Sequence, residues 1–321
     1  MSEQLPVDLS VDLAGLVMPT PVMTAAGCAV AGRELDAFTD VAALGGFVTR
    51  TVTLDPRAGL PAPRVLAAPS GVLHATGAQN PGLQGFLATE LPWLAQRRAR
   101  TVVSVAGTTL GEYGELARRV GSSPGVAAVE VNLASPNRDA HGRVFGADAY
   151  QAGKVLAVVR RDVPRGVPVL AKLVPESSVV DVARAAVENG ADALVLAHGF
   201  AAMAVDRATW RPALGGGTGT LSGPAVHALA VRRVWDVHAA LPGVPLVGVG
   251  GVVSGFDALE MLLAGATAVQ VGSVLFRDPF APTRITDELR AELAARGVAR
   301  AADVVGLAHH GSAEPDEGEP S

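Results

Sequence analysis

Short β-branched runs alternate with amphipathic stretches almost from one end of the chain to the other. This rhythm limits the possible folds more than any other feature. The runs are 21–26 (PVMTAA), 46–52 (GFVTRTV), 101–106 (TVVSVA), 127–132 (AAVEVN), 167–173 (VPVLAKL), 192–197 (DALVLA), 244–249 (VPLVGV) and 267–272 (TAVQVG). Helix-period segments lie between them at 33–44, 82–97, 110–120, 147–161, 177–189, 224–240 and 255–264, with another at 281–296 after the last run. Continuous apolar runs, in place of strict in–out alternation, describe strands covered on both faces by helices. Eight such β–α units in 321 residues predict a (β/α)8 TIM barrel, with a doubly wound open sheet as the alternative.

The units are unevenly spaced. About 50 residues separate the second and third runs, against roughly 20–25 for a plain unit. The excess, Leu54 to Pro81, is rich in Pro and Gly and is expected to fold over the barrel mouth as an inserted lid. A second excursion, Val205 to Gly223, carries ALGGGTGTLSG. Residues 1–20 read as a hairpin able to plug the bottom of the barrel. Residues 1–308 are expected to form a single domain, and 309–321 (HHGSAEPDEGEPS) a disordered acidic tail.

Composition excludes several function classes. Twenty-six basic against thirty-one acidic residues give a net charge of −5, which does not suit a nucleic-acid partner. One cysteine, Cys28, excludes an internal disulfide, a CxxC pair and any cysteine-ligated zinc or iron–sulfur site within this chain. No HExxH or EF-hand spacing occurs, so no metal is expected. No apolar run approaches ~18 residues and the amino end lacks a leader pattern, so a cytoplasmic protein without membrane contact is expected. Among the twenty-six basic residues only Lys154 and Lys172 are lysines. Lys154 sits in a helical pattern, whereas Lys172 ends the apolar run VPVLAKL, where a charge needs a reason.

In a barrel the active site lies at the C-terminal ends of the strands. The residues falling there are Ala25, Ala26 and Gly27, then Arg50 and Thr51, Ser104, Asn132, Lys172, His198, Gly250 and Gly251, and finally Gly272 and Ser273. The small pairs ending the last two strands let backbone N–H groups approach a phosphate, and Gly223 in GTLSG could add to the same nest. The plain reading of those glycines is tight turns. Asn132, Ser135 and Asn137 read either as hydrogen-bonding groups for a cyclic amide or imide or as a turn. His74, in the first excursion, and His198 read either as ligand-binding groups or as packed side chains.

Several segments together resemble the dihydroorotate dehydrogenases: TVTLDPRAGLPAPRV, GAQNPGL, VEVNLASPN, VPVLAKL, LSGPA and VGVGGVVSGFDALEMLLAGATAVQVGS. The likeness runs from about residue 10 to 285. It is greatest to the soluble branch, whose catalytic subunit works with an iron–sulfur, FAD-bearing reductase partner. The resemblance implies an FMN-binding barrel, a homodimer, and oxidation of (S)-dihydroorotate to orotate in pyrimidine biosynthesis by hydride transfer to flavin N5. Ala25, Ala26, Gly27 and Thr51 would then lie against the flavin, with Ser104 in place of the family's ribityl-contacting asparagine. Lys172 would face its N1/O2 edge, and Gly223, Gly250, Gly251, Gly272 and Ser273 would hold its phosphate. Ser135 falls at the catalytic-base position of N-x-x-[Cys/Ser]-P-N, flanked by Asn132, which would contact both flavin and substrate, and by the substrate-binding Asn137. Thr76, Gly77 and Ala78 fall in the substrate-side turn of the lid.

Departures from the family pattern gather at the substrate. Arg50 replaces a lysine, His74 an asparagine, and His198-Gly199 an Asn-Thr or Asn-Ser pair. A serine base needs a relay, which either histidine could supply. Three cation-capable groups raise the alternative of a divergent FMN enzyme acting on another acidic heterocycle or enone. A phosphate-binding barrel isomerase or non-catalytic sensor is the alternative of a different class.

Overall fold

The structure, a computed structural model, describes residues 7–136, 142–175 and 178–310. The chain opens with an antiparallel hairpin, β1 (Val11–Leu13) and β2 (Leu16–Met18), turned by Ala14 and Gly15. Eight parallel strands follow: β3 (Val22–Thr24), β4 (Phe47–Val48), β7 (Thr101–Val105), β8 (Val126–Asn132), β9 (Val169–Lys172), β10 (Ala193–Leu196), β13 (Leu246–Val249) and β14 (Ala268–Val271). They form one sheet in the order β3-β14-β13-β10-β9-β8-β7-β4. Contacts between its two ends, Met23 with Gly46 and Thr24 N–H to the Gly46 carbonyl at 3.1 Å, close it into a barrel. All eight sequence runs supply a strand. β7, β9, β10 and β14 are buried along their whole length, as strands covered on both faces must be.

Around the barrel lie α4 (Leu110–Gly121), α5 (Ala149–Asp162), α6 (Val179–Glu188), α7 (His227–Ala240), α8 (Gly255–Leu263) and α9 (Ala281–Ala295). Side-chain oxygens start three of them. Thr109 accepts from the Glu112 N–H, Asp148 from the Gln151 N–H, and Ser254 and Asp257 form a reciprocal capping box on α8. The segment 33–44 contains only one turn of helix, α1 (Arg33–Asp36), and then continues as turns. The segment 82–97 is α2 (Gly82–Gly85), a π-helical turn at Phe86–Glu90, and α3 (Leu91–Gln96).

The barrel interior has two layers. Below, Met23, Val48, Val102, Ala128, Leu170, Val195 and Val247 pack on Val11, Leu13, Leu16 and Met18, so the hairpin does plug the bottom. Above, toward the mouth, the buried residues turn polar: Thr24, Ser104, Glu130, Lys172 and Gln270. The two excursions, read separately from the sequence, form one structure. The hairpin β5 (Val65–Ala68) and β6 (Gly71–His74) pairs with β12 (Gly219–Ser222), which pairs with β11 (Phe200–Ala202), giving a four-stranded antiparallel sheet. Leu73, Ala75 and Leu214 form its small core. Asn80 ties the first excursion down: its Oδ1 accepts from the Thr53 and Gly82 N–H groups, and its Nδ2 donates to Thr53 Oγ1 and the Ala78 carbonyl.

The last described residues pack against the helical ring. Leu307–His310 form a 3-10 turn, the His309 ring stacks on Trp235 with centroids 3.6 Å apart, and His309 Nε2 bonds the Ala264 carbonyl. Residues 311–321 lie outside the described residues.

Leu13, fully buried, is the plug's central contact with the lower barrel layer. Leu13→Ala should destabilise the fold by about 2–5 kcal/mol, measured as a lower denaturant midpoint with unchanged m-value.

Candidate functional site

Two adjoining cavities open at the C-terminal ends of the strands, with Ala26, Gly27, His74, Thr76 and His198 in the wall between them. The inner one is lined by Ala25, Lys172, Gly199, Gly223, Gly250, Gly251, Gly272 and Ser273. Arg50, Thr51, Gly77, Ala78, Asn132 and Ser135 line the outer one. One sequence-predicted residue is displaced. Ser104 is fully buried and reaches neither cavity; its hydroxyl shares a 3.0 Å hydrogen bond with that of Thr51, so it stands behind the wall. Asn137 lies outside the described residues.

The inner cavity narrows to a cradle of backbone. Gly223 and Gly251 have φ of +110° and +68°, which disfavour any side chain. A Cβ on Gly251 would stand 2.7 Å from the Gly223 carbonyl oxygen, and one on Gly223 would stand 2.8 Å from the Gly71 Cα. The stretch GTLSG forms β12 of the lid, and only its last two residues reach the cavity. Opposite the cradle, Lys172 enters from β9 at 6% exposure. Its Nζ donates to Gln270 Oε1 at 2.8 Å and lies 3.7 Å from Glu130 Oε1.

In the outer cavity, Asn132 is fixed at both ends of its amide. Nδ2 donates to Thr51 Oγ1 at 3.2 Å, and Oδ1 accepts from the Ala134 N–H at 2.9 Å. The second N–H and the remaining lone pair stay available to a ligand. Tyr113, fully buried on α4, donates from its hydroxyl to the Asn132 carbonyl at 2.6 Å and lies beside Ser135. Ser135 Oγ is buried, with the Tyr113 hydroxyl beside it and no hydrogen bond of good geometry among the described residues. A buried hydroxyl is costly to leave unpaired, so this atom is poised for a ligand.

The three departures read as cation-capable carry less charge than their residue types suggest. Burial lowers the His74 imidazole, whose Nε2 shares a 3.0 Å hydrogen bond with Ser222 Oγ across the lid sheet. Burial, the Lys172 ammonium and His74 push His198 down to about 4. Arg50 Nη2 lies 3.5 Å from Glu90 Oε1 on the π-helical turn. At pH 7 the site therefore holds two neutral imidazoles and a guanidinium partly offset by Glu90.

Sequence reasoning passed over Glu130, Gln270, Glu90 and Tyr113. The signal for the first two was present: each is a polar residue inside an apolar run, the same oddity that singles out Lys172. His227, also unremarked, bonds the Gly250 carbonyl through Nδ1 (2.9 Å) and Glu260 Oε2 through Nε2 (3.0 Å). With Asp257 these groups place potential metal-ligand atoms within 4.8 Å of one another. Asp257 Oδ2, however, is engaged in accepting from the Val253 and Ser254 N–H groups.

Between about pH 6.5 and about 4 the unfolded chain binds a proton at His198 that the folded chain refuses. Stability present above that window is lost as the pH falls through it. Thermal melts from pH 7 to 4 should show this decline, and His198→Asn should flatten it.

Comparison with known proteins agrees with this geometry. A family model described as dihydroorotate dehydrogenase matches residues 8–293. A Pelobacter propionicus protein named dihydroorotate dehydrogenase B (NAD(+)), catalytic subunit, is 44% identical over 300 residues, covering 93% of this chain and 98% of its own. Identically named proteins of Geotalea daltonii and Desulforudis audaxviator are each 42% identical, covering 93% and 94% of this chain and 97% and 98% of their own. The chain belongs to the dihydroorotate dehydrogenase family.

Proposed function

We propose that this chain is an FMN-dependent oxidoreductase, the catalytic subunit of a dihydroorotate dehydrogenase that oxidises (S)-dihydroorotate to orotate in pyrimidine biosynthesis. The observation that carries this reading is the adjacency of two cavities, one pairing Lys172 with a backbone cradle, the other presenting the buried Ser135 hydroxyl and the Asn132 amide. The residues fit FMN: glycine turns too tight for a Cβ at the phosphate end, small apolar residues alongside, and a buried ammonium opposite. Bound FMN would supply the two-electron acceptor for the oxidation.

Within that reading, Gly223, Gly250, Gly251, Gly272 and Ser273 hold the phosphate, and Ala25, Ala26, Gly27 and Thr51 flank the ring. Lys172 presents positive charge to the electron-rich edge, and Ser104 acts through Thr51. Asn132 and Asn137 orient the substrate amides, while Arg50, His74, Thr76, Gly77, Ala78, His198 and Gly199 complete the substrate wall. Ser135 Oγ takes the proton from the carbon next to the one oxidised. Its relay must be a better base than His198, whose pKa near 4 makes it a hydrogen-bonding group.

Residues 1–308 act as one FMN-binding unit. A single cysteine cannot hold a cluster in this chain, and the relatives' names specify a catalytic subunit and NAD. An iron–sulfur, FAD-bearing reductase subunit therefore carries the electrons onward, and the catalytic chain pairs as a homodimer in the cytoplasm. Among the described residues no helix is long and apolar enough to cross a membrane.

Purified protein should be yellow, release one FMN per chain on denaturation, and bleach anaerobically with dihydroorotate. Ser135→Ala should keep the colour and slow the bleaching by about 10²–10⁴-fold. Protein that stays colourless after incubation with FMN would refute the cofactor, and an undiminished rate in Ser135→Ala would remove the serine from the chemistry.

A further inference from the structure

At the base of the inner cavity, three side chains from three barrel strands form a buried polar group, of which only Lys172 reaches the cavity wall. Glu130, on β8, is 0% exposed, and Gln270, on β14, is 1% exposed. Gln270 Nε2 donates to Glu130 Oε2 at 2.7 Å, while Gln270 Oε1 accepts from Lys172 Nζ at 2.8 Å. One amide thus joins the carboxylate to the ammonium, and Glu130 Oε1 faces Lys172 Nζ at 3.7 Å with no hydrogen bond of its own among the described residues. The two groups facing the carboxyl are an amide N–H and an ammonium, both donors. Among the described residues the carboxyl oxygens therefore meet only hydrogen-bond donors.

Building on the FMN reading above, we propose that Glu130 is an ionised counter-charge that sets how strongly Lys172 stabilises reduced FMN. Glu130 is a positioning residue, acting through Lys172. An ammonium alone at the cavity wall would favour the more negative, reduced cofactor strongly and would resist passing electrons on. A carboxylate 3.7 Å behind it offsets part of that field. The Gln270 bridge fixes the two charges at hydrogen-bonding register, so that Lys172 keeps its place whether or not the cavity is filled.

The test is a redox titration of the intact FMN-loaded protein. Glu130→Gln is nearly isosteric, keeps an oxygen for the Gln270 N–H, and removes the charge. It should raise the ratio of affinities for reduced over oxidised FMN at least tenfold, a rise in midpoint potential of about 30 mV for two electrons. Glu130→Asp keeps the charge but draws it back from Lys172, and should raise the potential by a smaller amount. It also provides the test if Glu130→Gln does not fold. Lys172→Met should move the potential the opposite way. Yellow variants whose potentials equal that of the wild type would overturn the proposal while leaving the FMN reading intact; colourless wild-type protein would instead overturn the reading on which it rests.

Discussion

Closing eight parallel strands into a ring leaves the barrel sheet without free edges, and the rest of the molecule follows from that closure. Thr24 secures the seam between β3 and β4: its Oγ1 accepts from the Val48 N–H at 2.9 Å, while its backbone N–H reaches the Gly46 carbonyl. With strand edges satisfied, the interior must be filled by side chains alone, and only the two ends are available for other work. The hairpin β1–β2 fills one end with apolar residues. The other end is left to the lid and cavities, and the polar layer inside the barrel marks where packing gives way to chemistry.

That division explains what was legible in the sequence. Strands buried on both faces must be continuous apolar runs, so all eight could be read directly, and so could the residues at their C-terminal ends. The lid was harder. β6 and β12 are about 150 residues apart, and the pairing of Leu73 with Leu221 depends on the barrel bringing both excursions to one rim. No local pattern encodes such a pairing. Ser104 stands on β7 as read, and its link to the cavity runs through the hydroxyl of Thr51, a contact that depends on how two strands meet. The ring stack of His309 on Trp235 is likewise a contact invisible to composition.

Burial also reverses the electrostatic reading of residue types. Counting Arg50, His74 and His198 as cations treats each as though in water. In the wall of a cavity that already holds the Lys172 ammonium, a second buried positive charge is disfavoured twice, by lost hydration and by repulsion, and His198 gives up its proton. On its other side that ammonium lies 3.7 Å from Glu130 Oε1. The barrel interior therefore sorts its titratable groups around Lys172: neutral imidazoles on the mouth side and a carboxylate beneath.

Arg50 shows how a substitution of one cation for another changes a pocket without changing its charge. Its partner, Glu90, projects from a π-helical turn, where an extra residue per turn changes the direction of the side chains. The pairing at 3.5 Å is incomplete: Arg50 Nε and Glu90 Oε2 are both buried without hydrogen bonds among the described residues. Burial pushes the Glu90 carboxyl upward and Arg50 pulls it only part of the way back. A lysine would meet Glu90 with a compact ammonium. A guanidinium has five donors in a rigid plane, so it can hold Glu90 with one edge and still present another to the outer cavity, of whose wall it is part.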